Sequence, residues 1–323
     1  MRHLLALTLA TATLLSACGG SGKASDSQAA PSDVAPTEVK PAAFDADSAY
    51  AYVQRQVDFG PRVPNTAAHA ATAEWLASEL RRHGAQVATL PAELKAFDGT
   101  TLKATNILAS YNPEAKERIL LVAHWDCRPW ADEDPDEANH SKPVDGANDG
   151  ASGVGVLLEI ARQLGIEAPA KGVDILLVDA EDWGTEGRDD SWALGAKHFV
   201  DNPPEGFIRP KAGVLLDMVG GNGAQFRREQ FSQYYSPELV SDLWSTAAAI
   251  GHGNIFSNEP GGAITDDHLQ FIRAGIPMID IIEFHPDSGF NPRWHTAADN
   301  MEGIDAATLG AVGETVMTWL RNK

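Results

Sequence analysis

Three short apolar runs that each end in charged residues constrain the fold of this chain more than any other feature. The runs are "RILLVAHWD" (118–126), "GVDILLVDAED" (172–182) and "AGVLLDMVGG" (212–221). Each is apolar and β-prone, which is typical of strands that are buried on both faces. Helical patterns alternate with these runs. The sequence therefore predicts an α/β fold with a mostly parallel, mixed central sheet and helices on both faces.

The remaining segments fit the same architecture. Gly, Pro and polar clusters separate them, and their apolar spacing changes between the strand period and the helix period. The predicted strands are 85–94, 102–111 and 276–284. The predicted helices are 65–84, 153–165, 236–251 with a Ser cap, 267–275 and 306–322.

The charged ends of the apolar runs indicate where a functional site lies. The runs end in "AHWD" (123–126), "DAED" (179–182) and "LLD" (215–217). The carboxyl ends of parallel strands meet at one edge of the sheet, where ligands of such folds bind. Carboxylates gathered at that edge would repel one another unless a cation neutralised them. The sequence therefore predicts a divalent metal there.

Zinc suits the available side chains, because it takes nitrogen and oxygen ligands and a catalytic site leaves one position open. Two carboxylates and one histidine from different loops would hold it. Adjacent acids such as Glu181 and Asp182 can divide the labour, with one binding the metal and the other acting as general base. The candidates are His124, Asp126, Asp149, Glu181, Asp182, Asp217, Asp266, Asp267 and His295.

The first residues read as an export signal. A basic start (Arg2, His3) leads into a short apolar run, and "LLSAC" resembles the lipobox of bacterial lipoproteins. We expect residues 1–17 to be a lipoprotein signal peptide and Cys18 to carry the lipid. The alternative is an ordinary cleaved signal with an incidental cysteine. Cys127, the only other cysteine, is expected to be a small buried core residue.

Residues 18–43 are rich in Gly, Ser, Ala and Pro and predict a flexible tether, which leaves 44–323 as one large catalytic domain. Two smaller domains are the alternative. The formal net charge of −20 argues against nucleic acid as a partner. We expect membrane contact only through the lipid. Gly19 after Cys18 favours a periplasmic location on the outer membrane.

Six motifs in order carry a resemblance to a known family. They are "HWD", "GANDGASGVGVLLEIAR", "DAEDWG", "LLDMVG", "DDHLQFIRAGIP" and "RWHTAADN". Together they resemble the zinc-aminopeptidase superfamily and, within it, the animal-type glutaminyl cyclases with their bacterial members. The resemblance covers nearly all of residues 48–321.

The resemblance implies one zinc held by Asp149, Asp182 and His295. It implies Glu181 as the general base and acid, and Asp217 and Asp266 as partners in a hydrogen-bonded acidic network. Trp294 and Phe290 would be aromatic walls of the substrate pocket. We also expect the tryptophans near the motifs to make the pocket dry and narrow; these are Trp125, Trp130, Trp183, Trp192 and Trp294.

Two positions depart from the family pattern. Asp182 stands where a Glu is common, and a shorter carboxylate can still bind zinc. Asp280 stands where animal cyclases carry a His, which puts in doubt any role based on that imidazole. His124, Asp149 and Asp217 match a second zinc site of two-metal aminopeptidases, yet the cyclases retain these residues too. The number of metal ions is therefore not readable from the sequence.

The implied activity is conversion of the N-terminal glutamine of peptides or proteins to pyroglutamate with release of ammonia. The first alternative is a two-zinc exported aminopeptidase, in which Glu181 activates a metal-bound water. The second alternative is a tethered lipoprotein that binds peptides or metal without catalysis.

Overall fold

The structure, a computed structural model, describes residues 39–323. The predicted signal peptide, Cys18 and most of the predicted tether lie outside these residues. None of the helices within 39–323 combines the length and the apolar character that a membrane span requires.

The described part of the chain contains eight α-helices, three short 3-10 helices and ten strands. The helices are α1 (Ala46–Val57), α2 (Ala67–Arg82), α3 (Ala151–Ile166), α4 (Leu194–Asp201), α5 (Gln230–Tyr235), α6 (Pro237–Ala249), α7 (His268–Arg273) and α8 (Ala306–Arg321). The strands are β1 (Gln86–Lys95), β2 (Thr101–Tyr111), β3 (Arg118–His124), β4 (Gly172–Val178), β5 (Ala212–Asp217), β6 (Phe226–Arg228), β7 (Phe256–Pro260), β8 (Met278–Ile282), β9 (Phe284–His285) and β10 (Gly289–Phe290).

Six strands form the central sheet in the order β1-β2-β4-β3-β5-β8. β4, β3, β5 and β8 are parallel, whereas β1 and β2 form an antiparallel hairpin that adds to β4. The predicted mixed, mostly parallel sheet is thus confirmed. Every residue of β3 and of β4 is buried, as their unbroken apolar patterns predict.

Helices cover both faces of the sheet. The larger core packs α1, α3 and α8 against one face, and a smaller core packs α4 and α7 against the other. In α3 all but three residues are buried, because the helix lies between the sheet and two other helices. A Cβ at Gly153 would overlap the carbonyl oxygen of Leu216, so the small residues of the "NDGASG" segment let α3 approach β5 closely.

The predicted elements are present, with ends that shift by a few residues. The sequence did not predict α1, α4, α5 or the short strands β6, β7, β9 and β10. α4 follows a left-handed residue, Ala193, and has no side-chain cap, so its start carries no sequence signal. The predicted cap of α6 is wrong in one respect: Ser236 precedes the helix, but its side chain accepts no capping hydrogen bond.

Candidate active site

The site lies at the carboxyl ends of the parallel strands, as predicted. His124 ends β3, Asp217 ends β5, and Glu181 and Asp182 follow β4. Asp149 lies just before α3, in the loop that follows β3. Three residues at this edge have left-handed backbone conformations: the φ angles of Ala180, Met218 and His295 are 54°, 48° and 54°. The chain turns sharply at each of them.

Asp149, Asp182 and His295 form one potential metal-binding group, with one ligand atom from each lying within 4.8 Å of the others. His295 Nε2 lies 3.1 Å from Asp182 Oδ1 and 3.4 Å from Asp149 Oδ2. Both carboxylate oxygens of Asp182 are buried without a hydrogen-bond partner. Such oxygens are costly unless a cation coordinates them, so this donor set fits zinc.

A second group shares Asp149 with the first. His124 Nε2 lies 3.0 Å from Asp149 Oδ1 and 3.2 Å from Asp217 Oδ1. Each oxygen of Asp149 therefore faces a different histidine. Because the two groups share Asp149, their donor atoms suffice for one ion or for two.

Glu181 is buried beside these groups and faces the cavity. Its backbone N–H donates to Asp126 Oδ1 at 3.1 Å, and the Asp182 N–H donates to Asp126 Oδ2 at 3.3 Å. Asp126, a candidate ligand from the sequence, belongs to neither metal-binding group. It instead holds the backbone of the adjacent acids.

Burial raises the pKa of Glu181 well above its usual value. His124 opposes this shift, and the negative charges of Asp182 and Asp266 add to it. Burial also raises the pKa of Asp217 to about 7. A raised pKa makes a carboxylate a stronger base, which suits Glu181 to general acid–base work.

A cavity of about 280 Å³ opens beside Glu181. The rings of Phe290 and Trp294 lie 4.5 Å apart, and Trp294 stacks on the His295 imidazole at 3.7 Å between centroids. The aromatic and apolar residues along its wall are Trp192, Met218, Ile264, Ile282, Phe284, Phe290 and Trp294. The cavity thus has an aromatic and apolar wall on one side and a cluster of acids on the other.

Two of the five tryptophans expected at the pocket line it, and three do not. Trp192 and Trp294 line the cavity. The expectation is wrong for Trp125, which is fully buried and stacks on His69. Trp125 follows His124, and successive residues of an extended chain point to opposite faces. Trp130 and Trp183 pack edge-on against each other and are not among the residues along the cavity.

Two supporting residues were not predicted. Asp299 accepts hydrogen bonds from the backbone N–H groups of Asn148 at 2.8 Å and Asp149 at 3.1 Å. Arg128 donates to the carbonyl oxygens of Asp182 at 3.0 Å and Gly184 at 3.2 Å. Asp299 lies in the "RWHTAADN" motif, which was the one available signal for it.

Asp266 lines the cavity, and a buried cluster of His268, Glu229 and Asp280 lies behind it. His268 Nε2 lies 3.3 Å from Glu229 Oε2, and His268 Nδ1 lies 3.7 Å from Asp280 Oδ2. Burial raises the pKa of Asp280 well above its usual value, and the charge of Asp266 adds to the shift. Asp280 thus lies behind Asp266 and is not among the residues of the cavity wall.

The family model described as "Peptidase family M28" matches residues 106–320. That range holds all the strands of the sheet except β1 and part of β2, and it includes every residue of both metal-binding groups. The chain belongs to peptidase family M28. The predicted membership of the zinc-aminopeptidase superfamily is thereby confirmed.

Solved structures of this M28 member's relatives match nearly the whole described chain. A Bacteroides thetaiotaomicron glutaminyl cyclase bound to N-acetylhistamine is 50% identical, with a TM-score of 0.86, and the match covers 88% of this chain and 100% of that one. A Zn-dependent exopeptidase from Parabacteroides distasonis is 52% identical, with a TM-score of 0.85, over 87% of this chain and 99% of that one.

Curated relatives are more distant. The bovine glutaminyl-peptide cyclotransferase is 25% identical over 256 residues, which are 67% of this chain and 65% of the bovine protein. The chain spans less than two thirds of the length of the first curated relatives that it matches. The site of this M28 member thus combines a donor set that fits zinc with relatives that are described as zinc-dependent.

Proposed function

We propose that this M28 member is a glutaminyl-peptide cyclotransferase that converts N-terminal glutamine to pyroglutamate. The observation that carries the proposal is the match to a bacterial glutaminyl cyclase at 50% identity over that protein's full length. The geometry of the site is consistent with this reaction. A cavity walled in part by Phe290 and Trp294 leads to a buried Glu181 beside a metal-binding group.

The cavity supports recognition of one side chain and not of an extended peptide. The glutamine side chain would enter between the aromatic residues, while its own α-amino group remains near Glu181. The attacking amine and the amide carbon then belong to the same residue. Holding them together gives the large advantage of an intramolecular reaction.

Asp149, Asp182 and His295 are the residues that would hold one zinc ion. When bound, zinc supplies a positive charge that polarises the side-chain amide and stabilises the negative charge developing on its oxygen. The Asp126 carboxylate and Arg128 fix the backbone of the acidic pair. This support keeps the two acids in separate roles, since Asp182 faces His295 and Glu181 belongs to neither metal-binding group.

Glu181 would move the proton. Its carboxylate takes a proton from the α-ammonium group, and the freed nitrogen attacks the amide carbon to close the ring. The bond from that carbon to the amide nitrogen then breaks, and ammonia leaves. The α-nitrogen gives up two protons: one reaches the leaving nitrogen through Glu181, and the other is released to solvent.

A specific observation favours one other function, hydrolysis by a two-zinc aminopeptidase. His124, Asp149 and Asp217 form a complete second metal-binding group, and a 52% identical neighbour is described as an exopeptidase. In this alternative the nucleophile is water, which attacks the first peptide bond. The number of zinc ions and the nature of the product separate the two functions.

We further propose that the protein is an exported lipoprotein, anchored through Cys18 to the periplasmic side of the outer membrane. The support is the "LLSAC" sequence and the Gly-, Ser- and Pro-rich segment that follows it. Substrates would then be peptides or exported proteins with an N-terminal glutamine.

A peptide assay tests the activity. The purified protein is offered one peptide that begins with Gln and a matched peptide that begins with Leu. We expect the Gln peptide to lose about 17 Da, the mass of ammonia, and the Leu peptide to stay intact. Loss of a whole residue from the Leu peptide, without ammonia from the Gln peptide, would contradict the proposal and favour the aminopeptidase.

Zinc content is measured on the same preparation and on His124→Ala. A cyclase with one zinc should retain that ion in the variant, since His124 belongs only to the second group. A drop from two ions to one in the variant would indicate the two-metal enzyme.

A further inference from the structure

The start of the described chain runs along α8, away from the site. α8 begins near the site, because the Asp305 N–H donates to the Gly220 carbonyl at 2.9 Å, in the loop after β5. Phe44 packs against Gly313 in the middle of α8. The Ala42 N–H donates to Thr318 Oγ1 at 2.8 Å, near the end of α8. Toward lower residue numbers, the chain therefore approaches the sheet edge opposite the cavity.

Exposed apolar side chains gather at that same edge. Within residues 39–323, the large hydrophobic residues that are more than a third exposed are Ile166 (69%), Ile208 (36%), Tyr234 (75%) and Tyr235 (56%). Ile166 ends α3 just before β4, and Ile208 lies just before β5. Tyr235 ends α5 and lies beside Ala212 and Pro277, which precede or begin parallel strands. All four thus lie at the amino-terminal ends of the parallel strands.

A groove of about 690 Å³ opens beside Tyr235 at this edge of the sheet. Lys171, Lys211 and Lys323 line it together with Tyr235 and Trp319. Lys171 pairs with Glu117 at 3.2 Å and Lys323 pairs with Asp242, whereas no ion pair within the described range involves Lys211. Glu117, Glu238 and Asp242 also line the groove, so its charges are mixed. Lysines converge here although the chain as a whole carries a net charge of −20.

The hydroxyl of Ser236 adds an independent observation. Ser236 lines the groove at the start of α6, is 93% buried, and its Oγ has no hydrogen-bond partner. The hydroxyl does not cap the helix. A polar ligand in the groove would satisfy this group.

We propose that this basal surface, made of Ile166, Lys171, Ile208, Lys211, Tyr234, Tyr235 and Lys323, rests on the phospholipid headgroups of the membrane that holds the anchor. The inference rests on the proposed anchor at Cys18 and adds a second contact to it. Tyrosine is favoured at the boundary between headgroups and acyl chains, and lysine extends its ammonium group to lipid phosphates. The cavity then faces away from the bilayer, toward its substrates.

Because the predicted tether holds the domain close to the membrane, a surface with only weak affinity for lipid is sufficient to orient it. Only residues 19–41 separate Cys18 from Ala42, and a flexible chain of that length has a root-mean-square span of roughly 25–30 Å. A domain held so near the bilayer meets it at a high effective concentration. A few exposed side chains are then enough to set its orientation.

Hydrogen exchange on tethered protein tests the orientation. The chain from Cys18 onward is coupled through that cysteine to a maleimide lipid in vesicles of phosphatidylethanolamine and phosphatidylglycerol. Cys127 is fully buried, so coupling is confined to Cys18. This chemical coupling makes the result independent of whether cells lipidate the protein, and the readout does not depend on its enzymatic activity.

We expect slower exchange in 163–168, 205–211 and 233–239 than in uncoupled protein, with the cavity rim at 184–192 and 288–295 unchanged. Protection of the rim, or of no segment, would overturn the proposal. Protection of the basal segments in uncoupled protein at rising concentration, without vesicles, would also overturn it, because a second copy of the chain would then cover the surface.

Paired variants give a second measurement. In protein coupled to vesicles through Cys18, we expect Tyr234→Ser with Tyr235→Ser, or Lys211→Glu, to reduce the protection of the basal segments several-fold. Lys103→Glu is the matched control, since Lys103 is also exposed but lies at the start of β2, near the site edge. Equal protection in the basal variants and the control would contradict a contact through this surface.

Discussion

Asp299 holds the backbone of Asp149 in place, because its Oδ2 accepts a hydrogen bond from the Asp149 N–H at 3.1 Å. Its Oδ1 accepts a second bond from Asn148 at 2.8 Å. The carboxylate of Asp149 faces both His124 and His295. One buried acid thus orients the residue that the two metal-binding groups share.

Asp299→Asn should weaken zinc binding without unfolding the protein. An amide has one acceptor oxygen and turns an N–H group toward the second backbone donor, so the Asp149 loop loses one of its two bonds. We expect zinc affinity to fall by about 10- to 100-fold, the usual effect of losing such support. Competition with a chelator measures it. Asp136→Asn, in an exposed turn, is the control and should bind zinc like the natural sequence.

The acidic pair should show a division of roles. Glu181→Gln is expected to retain zinc and lose activity by about 100- to 10,000-fold, because an amide does not move a proton. Asp182→Ala is expected to lose zinc and activity together. Elemental analysis and the glutamine-peptide assay on the same samples check both. Loss of metal in Glu181→Gln with full metal in Asp182→Ala would mean that the two roles are reversed.

His295→Ala should lose zinc while the fold survives, since the imidazole lies at the sheet edge and outside the main cores. A ligand that binds only the folded state stabilises it, by about 2.7 kcal/mol at 100 times its Kd. Added zinc should therefore raise the melting temperature of the natural protein and leave that of His295→Ala unchanged. His198→Ala, a partly exposed histidine far from both metal-binding groups, should respond like the natural protein.

Cys18→Ser should abolish lipidation and release the protein from membranes, because the thiol that accepts the lipid is gone. Metabolic labelling with a fatty acid and fractionation of cells measure the two effects. Mutation of Cys127 is not a suitable control, since that residue is buried in the core. An unlabelled natural protein, or a variant that stays in the detergent-extracted membrane fraction, would exclude the anchor.

The sequence predicted the part of the site that depends on strand ends. His124, Asp182 and Asp217 follow directly from the rule that parallel strands present their carboxyl ends at one edge. Asp299 did not follow, since its bond to Asp149 joins residues 150 positions apart. Trp125 was wrongly expected at the pocket because proximity in sequence does not determine which side of the sheet a side chain faces.

The number of metal ions was not predictable for a different reason. It depends on how two donor groups share Asp149, and both groups consist of residues that either enzyme class retains. Helix α4 was missed because no side chain caps it and tertiary packing stabilises it. Helix α1 was missed although Asp45 caps its start. β1 and β2, in contrast, were predicted from their own residues.

The left-handed conformations of Ala180, Met218 and His295 have a consequence for the stability of the fold. Each conformation costs about 1–3 kcal/mol in a non-glycine residue. Here His295 belongs to the site, and Ala180 and Met218 each precede or follow a site residue. The edge of the sheet that carries the site is therefore its most strained part. In a descendant that had lost catalysis, glycine at 180 and 218 would relieve this strain and stabilise the fold. Stability and activity therefore favour different residues at the same two positions.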